Sequence, residues 1–371
     1  MIPFNKPYLT GREIEYIKQA VKTGKISGNG IFSQKCQNFL EERYGFRKVL
    51  LTTSCTDALE MCAILAEIHS GDEVIMPSYT FVSTALAFVR QGAKIVFVDS
   101  REDNPCIDED KIESLISNKT KAIIPVHYAG ISCNMEKIMD LADKYNLLVI
   151  EDAAQAFDSY YLSRPLGSIG HLAVFSFHET KNIQSGEGGA LLINDERFIK
   201  RSEIIWEKGT NRAEFYRGEV NKYGWIDIGS SFLPSEITAA FLWAQLEEIN
   251  KIQSKRILLW NLYYQGLSKY ASDNEIILPI VPDYATHNAH LFYLICKNLE
   301  QRISIIEKLR GKNILAISHF LSLHKSPYYH KLHDGRILSN SDIYSERLIR
   351  LPLYYELSPK EVKFIINCIV Q

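Results

Sequence analysis

Lys181 stands where an amine could form a carbon–nitrogen double bond with a carbonyl ligand. It lies in Phe175-Ser176-Phe177-His178-Glu179-Thr180-Lys181-Asn182, shortly before Gly186-Glu187-Gly188-Gly189-Ala190 and a second apolar run. A lysine beside a glycine-rich turn between two strands can reach into a cleft. Desolvation there lowers the amine's pKa and makes it nucleophilic enough for Schiff-base chemistry. Taken alone, the same lysine also reads as a solvated surface charge. Asp152 is the second candidate, in Glu151-Asp152-Ala153-Ala154-Gln155, which follows Leu147-Leu148-Val149-Ile150. Its two alanines leave space for a flat ligand. Were that ligand a pyridine, the carboxylate could keep the ring nitrogen protonated, which is what makes pyridoxal phosphate an electron sink. A helix N-cap explains Asp152 equally well.

Two further segments follow apolar runs. Thr52-Thr53-Ser54-Cys55-Thr56-Asp57 is rich in hydroxyls at a strand-to-helix junction. Free N–H groups at a helix start, joined by Ser and Thr hydroxyls, make a phosphate cradle. Plain capping by Ser54 or Thr56 is the alternative. Pro77-Ser78-Tyr79-Thr80-Phe81 places aromatics where one could stack on a ligand ring, although a core aromatic is the default. Each signal is modest alone. Their order along the chain (phosphate cradle, aromatic, acid, Ser-x-x-x-x-Lys) is more informative than any one of them.

The elements that must position these residues follow from periodicity. Short apolar runs at Lys48–Leu51, Glu73–Met76, Lys94–Val98, Lys121–Ile124 and Leu147–Ile150 alternate with amphipathic stretches at Thr56–His69, Phe81–Arg90, Asp108–Ser117 and Met135–Tyr145. Continuous apolar strands separated by helices predict an α/β fold with a mainly parallel central sheet covered on both faces. Ligands of such sheets sit beyond the carboxyl ends of the strands, and the cradle, the aromatic and the acid each directly follow a strand. Helical spacing also marks Glu13–Lys22, Phe32–Tyr44 and Ser235–Ser268. The remainder mixes a strand at Leu291–Ile295 with helices near Arg302–Leu309 and Pro359–Ile369. This predicts a large domain over residues 1–250, N-terminal helices included, and a smaller C-terminal α+β domain over 251–371.

Composition sets the context. Of 371 residues, 46% are hydrophobic and 23% charged, with a net charge of −2, which describes a folded globular chain without the basic face of a nucleic-acid binder. The N-terminus lacks the pattern of a secretory signal, and no apolar run is long enough for a bilayer. The seven cysteines form no C-x-x-C pair, which argues for reduced thiols in a cytoplasm and against a disulfide framework or a metal site.

The order of the segments, together with the words Gly71-Asp72-Glu73-Val74-Ile75-Met76-Pro77-Ser78-Tyr79-Thr80-Phe81, Val126-His127-Tyr128-Ala129-Gly130, Glu151–Gln155 and Ser176–Asn182, resembles the DegT/DnrJ/StrS sugar aminotransferases of the fold type I pyridoxal-phosphate class. The resemblance spans essentially the whole chain. It implies that Lys181 carries the cofactor and moves the proton, that Asp152 pairs with the pyridine nitrogen, that Phe81 stacks on the ring and that Gln155 lies near the ring hydroxyl. Cys55, Thr56 and Ser176 would hold the phosphate. Cys55 departs from the Gly common in the family, and Ser231 replaces an Asn that the family often supplies to the phosphate from the neighbouring subunit. His178, His319 and His324 are candidates to line the substrate cleft, with a structural His on a turn as the alternative for His178.

The words Phe177–Asn182, Glu207-Lys208-Gly209-Thr210-Asn211-Arg212, Ile228-Gly229-Ser230-Ser231 and Arg350-Leu351-Pro352-Leu353 are most similar to a subgroup acting on dTDP-4-dehydro-6-deoxy-D-glucose. That similarity implies transfer of the amino group of L-glutamate to C4, giving the galactose-configured 4-amino sugar for a surface polysaccharide. It also implies a homodimer with shared active sites. The competing expectations are the gluco epimer, a 3-keto sugar substrate, a dehydratase and a non-catalytic binding protein on the same fold. Dehydratase relatives carry His in place of the lysine, and Lys181 is present here.

Overall fold

The computed structural model describes all residues, Met1–Gln371. Two N-terminal helices, α1 (Glu13–Lys22) and α2 (Ile31–Tyr44), lead into an alternation of β1 (Lys48–Thr52), α3 (Cys55–Leu65), β2 (Glu73–Pro77), α4 (Val82–Arg90), β3 (Lys94–Val98), β4 (Thr120–Ile123), α5 (Met135–Tyr145) and β5 (Leu148–Asp152). A two-residue ribbon, β6 (Tyr160–Tyr161) with β7 (Arg164–Pro165), precedes β8 (Leu172–Ser176) and β9 (Gly189–Ile193). The main sheet has seven strands in the order β1-β9-β8-β5-β4-β2-β3, and β9 alone runs antiparallel to the rest. No helix is long and apolar enough to cross a membrane.

The strands read as unbroken apolar runs because both faces of the sheet are buried. Along β8, Ala173 and Phe175 join one core while Leu172 and Val174 join the other, and β1, β2, β3 and β9 divide in the same way. Residues of α3 and α4 fill the second core; α2, α5 and α8 (Glu236–Glu247) contribute to the first. α6 (Ile199–Trp206) and α7 (Arg212–Tyr216) lie between β9 and α8 in the chain. A third cluster belongs to the C-terminal part, built from α9 (Ile249–Asp273), β10 (Phe292–Ile295), α10 (Leu299–Gly311), β11 (Leu348–Leu351) and α12 (Pro359–Val370), while α11 (Ser339–Arg347) sends Tyr344 into the first core. α9 joins the two parts: Ile249 and Ile252 pack in the first core, while Leu259, Trp260 and Tyr263 pack in the third.

Three local features depart from the sequence pattern. Asp108–Ser117 is not an α-helix but two short 3-10 turns, Glu109–Lys111 and Glu113–Leu115, since only Glu109 and Ile112 of this stretch are buried deeply. The helical stretch after Ser235 is broken at Glu248 into α8 and α9. The first residues belong with the C-terminal part: Ile2 pairs with Ile314, Leu353 N donates to Phe4 O at 3.4 Å, and Lys6 meets Glu356 at 2.7 Å.

The start of α3 rests against β9 because Gly189 has no side chain. A Cβ there would lie 2.5 Å from Cys55 N and 2.5 Å from the carbonyl carbon of Ser54. Both neighbours are backbone and cannot swing away. Gly189→Ala should therefore lower the unfolding free energy by about 1–3 kcal/mol, measured by urea unfolding. A loss below about 0.5 kcal/mol, the size of a neutral surface change, would show that the α3 start yields.

Candidate active site

The carboxyl ends of the parallel strands open onto a cavity of about 770 Å³. Its wall takes Ser54, Cys55 and Thr56 from after β1, Thr80 and Phe81 from after β2, Asp152 from the end of β5, Ser176 from the end of β8, and His178 and Lys181 from after β8. Asp152 is the last residue of its strand rather than a residue beyond it, and a turn follows it instead of a helix. Its Oδ1 accepts from Ala154 N at 3.1 Å and its Oδ2 from Thr84 Oγ1 at 2.7 Å. The neighbouring Glu151 points away from the cavity, takes His127 Nε2 at 2.9 Å and accepts the amides of Gly167, Ile169 and Gly170 at 2.6–2.8 Å. Alternation along one strand thus sends one acid to the cavity and the next to the fold.

Lys181 sits at the tip of the β8–β9 connection. The loop is closed by Glu179 N to Gly186 O at 2.8 Å and by Lys181 N to His178 O at 2.9 Å, and Gly186 supplies the φ of +79° that the reversal requires. Asn182 anchors the loop from behind: its Nδ2 donates to Gln253 Oε1 at 2.9 Å and to Asn288 O at 2.7 Å. Lys181 is half-buried among the cavity residues, and desolvation drives its pKa below the ordinary lysine value, against the opposing pull of Cys55 and Asp152. A shift in that direction favours the neutral amine, the form that can attack a carbonyl or accept a proton.

At the α3 start, Ser54 caps the helix, its Oγ accepting Asp57 N at 3.1 Å, so the capping role is real. The amides of Cys55 and Thr56 make no backbone hydrogen bond and face the same wall. The site therefore offers a cap and an anion cradle together. Thr56 Oγ1 donates to Ser83 Oγ at 2.8 Å. Phe81 is 57% exposed at the cavity, with its ring centroid 6.0 Å from that of Phe320 on the same wall. Gln155 is buried, and its Oε1 accepts Ala129 N at 2.8 Å.

The histidines separate. His178 lines the cavity, with Nδ1 2.9 Å from Thr180 Oγ1 and Nε2 3.6 Å from Glu187. His319 lines it from the C-terminal part, with Nδ1 2.6 Å from Tyr128 Oη. His324 does not line it: its Nδ1 lies 2.8 Å from Ser78 Oγ and its own amide donates to that oxygen at 3.2 Å. This buried pair fixes His324 to the end of β2, with Nε2 3.6 Å from Asp342, and leaves no edge for a ligand. Ser231 is exposed, bridges Glu207 and lies outside the cavity of its own chain.

Among the wall residues that pattern reading missed are Thr84, His290 and Arg350. Thr84, one helical turn after Thr80, holds Asp152. His290 contacts Asn182 Oδ1 through Nδ1 at 3.1 Å. Arg350 enters from β11. Only Arg350 had a signal, as a lone cation in the apolar run Leu348-Ile349-Arg350-Leu351.

The residues fit pyridoxal phosphate by four observations: an unpaired amine, a carboxylate facing it, an open helix start and an exposed aromatic face on one wall. A mainly parallel sheet carrying such a wall defines a pyridoxal-phosphate aminotransferase. The chain belongs to the DegT/DnrJ/EryC1/StrS aminotransferase family, whose pattern matches residues 7–370. It is 31% identical to the spore coat polysaccharide biosynthesis protein SpsC of Bacillus subtilis (strain 168), covering 99% of this chain and 96% of that one. It is also 31% identical to GDP-perosamine synthase of Escherichia coli O157:H7, covering 99% of this chain and 97% of that one. Spr1654 of Streptococcus pneumoniae superposes in its PLP-form with a TM-score of 0.89 at 27% identity, covering 100% of this chain and 97% of that one. Pyridoxal phosphate is the cofactor, and the chain is a sugar aminotransferase.

The buried amine has a thermodynamic signature. Unfolded, Lys181 holds its proton up to about pH 10.4; folded, it releases it at lower pH. Between those points unfolding takes up a proton, so this residue's contribution to stability rises with pH and its penalty is largest below the folded value. Cofactor-free Lys181→Met should melt above cofactor-free wild type at pH 7, with the gap narrowing towards pH 10, by scanning fluorimetry. A gap independent of pH would contradict the desolvated amine.

Proposed function

We propose that this chain transfers the amino group of L-glutamate to C4 of dTDP-4-dehydro-6-deoxy-D-glucose, giving dTDP-4-amino-4,6-dideoxy-D-galactose. The product feeds a surface polysaccharide, and the enzyme works in the cytoplasm as a homodimer. The observation that carries aminotransfer is Lys181, desolvated and without an ion-pair partner, on the same cavity wall as Asp152. The sugar is favoured by the words Phe177–Asn182, Glu207–Arg212, Ile228–Ser231 and Arg350–Leu353. A cavity of about 770 Å³ falls in the range of small-molecule sites. The similarity to GDP-perosamine synthase supports a nucleotide-linked sugar and makes GDP the competing nucleotide. SpsC, a polysaccharide biosynthesis protein, supports the destination. Ser231, exposed and outside its own cavity, fits a phosphate contact made across a dimer interface.

Pyridoxal phosphate supplies an aldehyde that takes up an amine and an electron-poor ring that stabilises negative charge on the attached carbon. The residues supply the rest. The open amides of Cys55 and Thr56, with the hydroxyls of Thr56 and Ser176, would receive the phosphate. Asp152, fixed by Thr84 and by the Ala154 amide, would hold a proton on the ring nitrogen. Phe81 would cover one face of the ring. Lys181 Nζ, whose pKa burial lowers, would accept a proton from the carbon bearing the donor's amino group and return one in the opposite half-reaction. His178 lies three residues from it on the same loop and would face the sugar.

Borohydride reduction of the purified protein should fix the cofactor to Lys181, found by peptide mass mapping, and Lys181→Ala should lower turnover by about 100- to 10,000-fold. Incubation with L-glutamate and dTDP-4-dehydro-6-deoxy-D-glucose, followed by NMR, should show an axial C4 amino group. An equatorial amine rejects the galactose configuration, and amination of only a GDP-linked keto sugar rejects the nucleotide. A cofactor fixed elsewhere, or not at all, rejects the mechanism.

A further inference from the structure

Arg350 is a cation that the aminotransfer scheme leaves without a task. It extends from β11 into the cavity, with its guanidinium 4.5 Å from the Phe4 ring centroid. Its one hydrogen bond is Nη2 to the carbonyl of Ser318 at 3.3 Å, and its Nε is buried without a partner. The cavity wall contains two acids. Asp152 is held by Thr84 and Ala154, and Glu187 lies beside His178. Neither contributes to the charge environment of Arg350, which is lowered by burial and offset only by the hydroxyls of Tyr128 and Tyr79. Burying a guanidinium without a counter-ion is costly unless an anion arrives.

The other basic groups on that wall do not share the role. Burial drives His290 and His319 well below the ordinary imidazole range, so both are uncharged near neutrality. Lys181 is reserved for the reaction. Arg350 is therefore the fixed positive charge of this wall, near enough for its field to reach Lys181. Phe4 lies against the guanidinium without taking any of its N–H donors, and of these only Nη2 is bonded, which leaves donors of the planar fork for a carboxylate.

We propose that Arg350 seats the α-carboxylate of the amino donor, a role that rests on the aminotransfer reading of the same cavity. In an α-amino acid the carboxylate is bonded to the carbon that gives up its proton, so its seat must lie close to Lys181. The diphosphate of a nucleotide sugar is the other anion that enters this cavity. It hangs on the anomeric carbon, across the pyranose ring from C4, and belongs farther from the reacting amine.

Arg350→Gln and Arg350→Lys holoenzymes that keep the wild-type cofactor absorbance are compared with wild type in separate half-reactions. In Arg350→Gln, the L-glutamate concentration giving half-maximal conversion of the pyridoxal form should rise about 10- to 100-fold. Glutarate, a dicarboxylate without an amine, should bind the pyridoxal holoenzyme more weakly by a similar factor in calorimetry. Conversion of the pyridoxamine form by the keto sugar should change by less than about 2-fold, the signature of a contact confined to the donor. Arg350→Lys, which keeps the charge but loses the fork, should fall between the two. A loss confined to the keto-sugar half-reaction overturns the proposal in favour of the diphosphate, and equal losses in both overturn it in favour of a purely structural role. Wild type that responds to L-glutamate alongside an unchanged Arg350→Gln removes Arg350 alone. Wild type that fails to respond to L-glutamate removes the aminotransfer reading and the seat with it.

Discussion

An amine that must be uncharged to accept a proton cannot stand in bulk water at neutral pH, and the architecture around Lys181 answers that constraint. Removal from water favours the neutral form, while an acid close by favours the charged one. Asp152 does raise the Lys181 pKa, yet desolvation outweighs it. The balance depends on Asp152 being held by other donors. Thr84 takes one oxygen and the Ala154 amide the other, so the carboxylate stays on its own side of the cavity instead of forming an ion pair with Lys181. The lysine loop is fixed just as firmly, through Asn182, to α9 and to the backbone at Asn288.

The sheet makes such an arrangement possible because its six parallel strands end along one edge. With both faces covered by helices, that edge is where loops can carry polar groups without opening the core. β9 is the exception that proves useful. As the lone antiparallel strand it returns directly from β8, so the connection between them is a closed loop rather than a crossover, and Lys181 lies on its tip. The same strand carries Gly189, against which the start of α3 rests. One short segment thereby sets both the amine and the cradle opposite it.

Much of this was legible in the sequence, and the misses have physical causes. Strands buried on both faces give unbroken apolar runs, so β1, β2, β3 and β5 were read to within two residues. Helix α5 was bounded correctly because Asn134 caps its start and Asn146 takes the left-handed conformation at its end. Residues 108–117 had too few apolar positions to be anchored as a helix, and only the 3-10 turns survive. The break at Glu248 carries no Gly or Pro and left no mark. Within the site, Lys181 and Phe81 follow strands and Asp152 ends one, and they were visible for that reason. Thr84 and His290 act through tertiary contacts that no spacing encodes. His324 shares a short segment with His319, but a hydrogen bond to Ser78 turns it into the fold.

The two parts of the chain contribute different chemistry to one cavity. Residues after the sheet strands supply the amine, the acid, the aromatic face and the phosphate cradle. The C-terminal part and the first residues supply His290, His319, Phe320, Arg350 and Phe4. The first set is tied to strand ends, where a shift of one residue would turn a side chain to the opposite face of the sheet. The second sits on loops and on the edge of a two-stranded sheet, where a side chain can change without disturbing the main core. The groups nearest Lys181 therefore come from the large sheet, and the residues that close over them from the C-terminal part and the first residues. The N-terminal segment couples the two, since Asn5 donates to Glu179 O at 3.3 Å while Phe4 lies against Arg350. A ligand that draws Arg350 towards itself would act on Phe4, and through Asn5 on the loop that carries Lys181.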